Sequence, residues 1–128
     1  MANAELLRTT LRHIQQNPDS WDQASWRCGS TGCFAFHAAL LAGAELADPQ
    51  TTVPGPGGTT PNYDSYLACN TAARDLGFTQ PRIHISDFAQ AALGLETEKA
   101  TELFASWREL PDLEALVADL APEPAATR

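Results

Sequence analysis

From Phe34 to Ala42 every side chain except that of His37 is apolar, and the run is bracketed by Cys33 and Gly43. A helix that is apolar nearly all round has no face to give to water, so other elements must enclose it. Gly43 is placed to take the left-handed conformation just past a helix end, and Ser30 or Thr31 to accept from the free amides at its start. The segment 32–42 is therefore expected at the buried centre of the molecule, with Phe34, Leu40 and Leu41 in the core.

Helical spacing recurs on both sides of it. Leu7, Leu11 and Ile14 fall at i, i+4, i+7 behind a possible cap at Asn3, and Pro18 ends that run. Cys69, Ala72, Ala73 and Leu76 predict a helix over 64–76 stopped at Gly77. Phe88, Ala91, Ala92 and Leu95 follow a cap at Ser86 or Asp87, with an interruption at Gly94. Ala100, Leu103, Phe104 and Trp107 follow Thr97, and Leu113, Leu116, Val117 and Leu120 follow Pro111. The expected fold is all-α, with about six helices packed around 32–42. Only 82–85 alternates polar and apolar, a short extended segment unable to form a sheet by itself. Residues 1–120 read as one helical domain, interrupted by a flexible Pro/Gly/Thr loop at 50–61, and 121–128 as a disordered tail.

A formal charge of −8 argues against phosphate backbones and anionic membrane surfaces. The paired segments 86–93 and 97–107 resemble a helix-turn-helix, but the chain from 86 onward is strongly acidic, so no nucleic-acid partner is expected. A basic protein is the partner that this charge favours, with Glu98, Glu102, Glu109, Asp112 and Glu114 as its candidate surface. Trp21 and Trp26 are large enough either to clamp the first helix to the central one or to stack on a ligand, and His37 is a further binding candidate. The opening residues carry neither a basic stretch nor an apolar run, no segment has membrane-spanning length, and three cysteines fit a reducing compartment. The expected location is cytoplasmic.

Cys28, Gly29, Ser30, Cys33, Ala35, His37 and Ala38, preceded by Trp21, Gln23 and Trp26, resemble the motif of a group of small uncharacterised proteins of actinobacteria and their phages. Leu93-Gly94-Leu95, Ala100 and Leu103-Phe104 are similar to that group as well, while Phe36 departs from it where the pattern has Gly. The resemblance implies no activity. The same cysteine segment also looks like the active-site stretch of papain-type proteases. In that reading Cys33 is a nucleophile favoured by a helix dipole, Gln23 an oxyanion donor, His84 the base and Asp87 its orienter. Against it, Thr31-Gly32 is inserted relative to the protease motif.

A zinc site is the second chemical alternative. Cys28, Cys33 and His37 would be ligands, Cys33 and His37 sharing a helix face, with Cys69 or His84 to complete the set. The remaining reading is structural, with both cysteines packed at the start of the central helix and no cofactor. A Cys28–Cys33 disulfide is possible in geometry and disfavoured by the compartment. The leading expectation is a small acidic protein that acts by binding another macromolecule, as a phage-type or accessory modulator does.

Overall fold

The computed structural model describes residues 2–122. Its elements are the helices α1 (Ala4–Gln16), α2 (Phe34–Leu41), α3 (Thr71–Asp75), α4 (Ile85–Leu93), α5 (Thr97–Phe104) and α6 (Leu110–Leu120), with strands β1 (Thr52–Gly55), β2 (Gly58–Pro61), β3 (Tyr66–Ala68) and β4 (Arg82–His84). The all-α expectation is therefore corrected: the fold is mixed, with two antiparallel two-stranded sheets beside the helices.

The first sheet occupies the segment read as a flexible loop. β1 and β2 form a hairpin in which Thr52 faces Pro61 and Gly55 faces Gly58. The turn residues are Pro56 and Gly57, in the Pro-Gly order of a type II turn, and Gly57 takes φ 80°. Pro54 and Pro61 argue against an interior strand, but both strands here are edges, where a missing amide proton breaks no ladder.

The second sheet agrees with one expectation, the short extended segment, and corrects another. The segment 82–85 does find a partner: Tyr66 pairs with His84, Leu67 with Ile83 and Ala68 with Arg82. The helix expected over 64–76 shrinks to Thr71–Asp75, because Asn70 caps it by accepting from the Ala73 amide at 3.0 Å. The register turns Leu67 and Ile83 into the core and leaves Tyr66, Arg82 and His84 on the other face.

α2 packs against α1, α4 and α5. Phe34, Ala35, Ala38 and Ala39 are fully buried, and Gly43 closes the helix at φ 97°. Leu40 and Leu41 are corrections: they are 37% and 42% exposed, at the end of the helix that reaches the surface. Neither Ser30 nor Thr31 caps α2; Cys33 stands at the cap position, and the Phe34 amide donates to Gln23 Oε1 at 3.1 Å. α4 is likewise capped by His84, not by Ser86 or Asp87. The helix bearing Ala100, Leu103 and Phe104 ends at Phe104, so Trp107 lies outside it and is 68% exposed. Of the expected tail, Ala121 is buried and accepts from Arg8 Nη1; 123–128 lie outside the described residues.

Arg27 joins the sheets to the helices. Its side chain is 1% exposed and donates to four backbone carbonyls: Nε to Gly29, Nη1 to Asp48 and Asp64, and Nη2 to Gln50, at 2.7–3.2 Å. One guanidinium thereby fixes the turn before α2 and both stems of the β1–β2 hairpin. Burial pulls its pKa below the ordinary value, and the charges of Asp48 and Asp64 oppose that.

Candidate functional site

Three of the expected catalytic residues do meet. Gln23, Cys33 and Asp87 line one pocket of about 560 Å³, together with Trp26, Gln90 and Phe104. His84 stands just outside, its ring 5.1 Å from that of Trp26. α2 brings Cys33 by its N-terminus, α4 brings Asp87 and Gln90, and α5 supplies Phe104. The segment between α1 and α2 carries Gln23 and Trp26.

Their bonding differs from what a thiol mechanism needs. Cys33 is 1% exposed, and burial raises its pKa to about 11 although the amides of Phe36, Ala35 and Cys33 itself pull it down. At neutral pH the thiol is then held almost wholly in its protonated form. Gln23 has no proton left for an oxyanion. Its Nε2 donates to the carbonyls of Leu103 at 3.0 Å and Ala105 at 3.1 Å, while its Oε1 accepts from Trp21 Nε1 and the Phe34 amide. This side chain ties α5 to the start of α2 and holds the Trp21 indole.

His84 is occupied too. Its Nδ1 accepts from the Ser86 amide at 3.0 Å, so Ser86 Oγ at 2.8 Å must donate to the same nitrogen, and the neutral ring carries its proton on Nε2. Partial burial lowers the pKa of His84, against the opposing charge of Asp87.

The expected zinc ligands separate. His37 is 4% exposed and its Nε2 donates to the Ser20 carbonyl at 2.8 Å, with the His13 ring 5.0 Å away. Burial lowers its pKa, the bond to Ser20 raises it, and His13 lowers it again. Cys69 Sγ donates to the Phe78 carbonyl at 3.6 Å. Cys28, Cys33 and Cys69 are all free thiols, and among the described residues no three His, Cys, Asp or Glu side chains converge in a metal-binding group.

Sequence reasoning missed an aromatic series along the rim. Phe104, Trp26, His84 and Tyr66 follow one another edge to face, with centroids 6.1, 5.1 and 5.3 Å apart. The Arg82 guanidinium lies 5.0 Å from the Tyr66 centroid and is bridged to Asp64 at 2.7 Å. The signal was the alternation at Arg82-Ile83-His84, which puts His84 across from Tyr66 once the strands pair. Trp107 is a separate exposed aromatic, with Arg108 over its ring at 4.1 Å.

The expected acidic surface is partly engaged within the chain. Glu102 meets Lys99 at 3.7 Å, Asp112 accepts from the Glu109 amide, and Glu114 accepts from Gln15. Glu98 and Glu109 are exposed. No helix among the described residues is long and apolar enough to cross a membrane. The chain matches no family model, no curated protein and no solved structure.

Proposed function

We propose that this chain acts by binding another protein, as an accessory or modulating subunit, through the face around Trp26. The observation that carries the reading is the series Tyr66–His84–Trp26–Phe104. Its Trp26–Phe104 end lines a pocket in which Cys33 is buried and protonated and Gln23 is fully bonded to the chain itself, and His84 and Tyr66 continue it outside. Pre-ordered aromatic side chains beside a cavity suit recognition, because they offer area at small cost in rotamer entropy. The charge of −8 directs the choice of partner toward a basic one.

An array of peptides of graded charge, probed with the native protein at two salt concentrations, tests this. Basic peptides should be retained, less so at high salt, and Trp26→Ala should reduce retention at least tenfold. Indifference to peptide charge, or retention unaltered in Trp26→Ala, would refute it. The thiol-hydrolase alternative would return if Cys33 in the folded protein were labelled rapidly and stoichiometrically at neutral pH.

A further inference from the structure

We propose that the pocket beside Trp26 is an anchor site for an arginine side chain of the protein partner, with the Asp87 carboxylate as its counter-ion. The inference rests on the protein-binding reading and names the chemistry of the contact.

The pocket's hydrogen bonds carry the argument. Four of its side chains spend their protons on the chain. Gln23 Nε2 donates to the Leu103 and Ala105 carbonyls, and Gln90 Nε2 to the Leu95 carbonyl and Thr97 Oγ1. Ser86 Oγ donates to His84 Nδ1, and Thr101 Oγ1 to the Thr97 carbonyl. What remains is one fixed donor, the Trp26 indole N–H, two hydroxyls that serve either way, and a set of acceptors that includes the one charged group of the lining. Among the described residues, neither the Asp87 carboxylate nor Gln90 Oε1 receives a hydrogen bond, and the hydroxyls of Thr97 and Ser106 are free to turn as acceptors.

The described lining holds one carboxylate and neither Lys nor Arg. A phosphate or carboxylate guest would find its charge repelled and few donors to meet it. A guanidinium has the opposite inventory: five donors, no acceptor and a permanent positive charge. It is also planar, and it stacks on aromatic faces as an ammonium does not. Trp26 stands between His84 and Phe104 at interplanar angles of 85° and 84°, so this wall is ordered before any guest arrives. His84, the titratable group against it, is held as a neutral acceptor at Nδ1 and adds no competing cation.

The test is a titration of the native protein, followed in 1H–15N spectra, with N-acetyl-Gly-Arg-Gly-amide, its lysine and citrulline analogues, and free L-arginine. Citrulline keeps the shape of arginine and removes the charge. The arginine peptide should saturate, with shifts concentrated at the Trp26 indole N–H and the Asp87 and Gln90 amides. The lysine peptide should bind several-fold more weakly, and the citrulline peptide at least tenfold more weakly. Asp87→Asn, whose parent side chain bonds to nothing in the fold, should lose tenfold for arginine while its own spectrum stays native. Trp26→Phe is the second variant, and should weaken arginine binding without abolishing it.

Equal binding of arginine and citrulline, or an Asp87→Asn variant that binds like the parent, overturns the proposal. Free L-arginine binding as tightly as the peptide also overturns it, assigning the pocket to a small molecule. Basic peptides whose shifts map to Glu98 and Glu109 instead would overturn the pocket assignment and move protein binding off the Trp26 face, while leaving a basic protein as the partner. No shift with any basic peptide would end both.

Discussion

At Arg27 a positive charge is buried among backbone carbonyls, with no ion pair to a carboxylate among the described residues. Charge-assisted bonds are the strong ones, and removing the donor leaves buried carbonyls unsatisfied. Arg27→Met should therefore cost at least ~3 kcal/mol in urea denaturation. Arg27→Lys should recover only part of that, since an ammonium cannot reproduce the planar fork. A Lys variant as stable as the parent would show that charge alone, not geometry, is what the site needs. Nothing around Arg27 in the sequence marks it as buried, because three of its four acceptors, on Asp48, Gln50 and Asp64, lie on main chain distant along the sequence. Cys33 was more legible, as a small soft residue at the start of an apolar helix. Native protein should react slowly with a thiol reagent at neutral pH, and fast only once unfolded. Cys33→Ser should lower stability by ~1–3 kcal/mol, because the hydroxyl needs a partner that the thiol does not.

α2 shows how far a sequence pattern reaches at the scale of an element. The apolar run gave its position and its end at Gly43, but not which residues face out, because a helix apolar all round has no periodicity from which to read a face. Phe34 is fully buried, so Phe34→Ala should cost ~3–5 kcal/mol. Leu40 is 37% exposed, and Leu40→Ala should fall well short of that, near ~1 kcal/mol. Thermal and denaturant unfolding of the two variants checks the order, and equal losses would contradict this account of the helix. The strands were hidden for two different reasons. The β1–β2 hairpin carries prolines that speak against a strand unless both strands are edges. β3 and β4 are three residues each and 13 residues apart, so neither is stable until both have formed. The pocket inherits that difficulty, since Trp26, Asp87 and Phe104 come from three separate parts of the chain.

For the whole molecule, pH sets one limit on stability. His37 and His84 both have folded pKa values below the ordinary 6.5, chiefly from burial. The unfolded chain therefore takes up protons first as the solution is acidified, and stability falls from about pH 6.5 downward until the folded values are passed. His84 has a further reason to resist, since a proton on Nδ1 removes the acceptor that caps α4. A melting temperature that declines between pH 7 and 5, and declines less in His37→Gln, is the expected result; a flat profile would contradict it. Arg27 has a different consequence at this scale. It grips Gln50 and Asp64 by their carbonyls, and those two residues are the stems on either side of β1 and β2. Main chain is the same whatever side chain it bears, so this clasp is indifferent to the text of the hairpin it closes. Foreign loops grafted between Thr51 and Asn62, whose own bonds complete the base, would inherit a ready-made stem, which makes this corner a natural display position for an engineer and a permissive one for evolutionary drift.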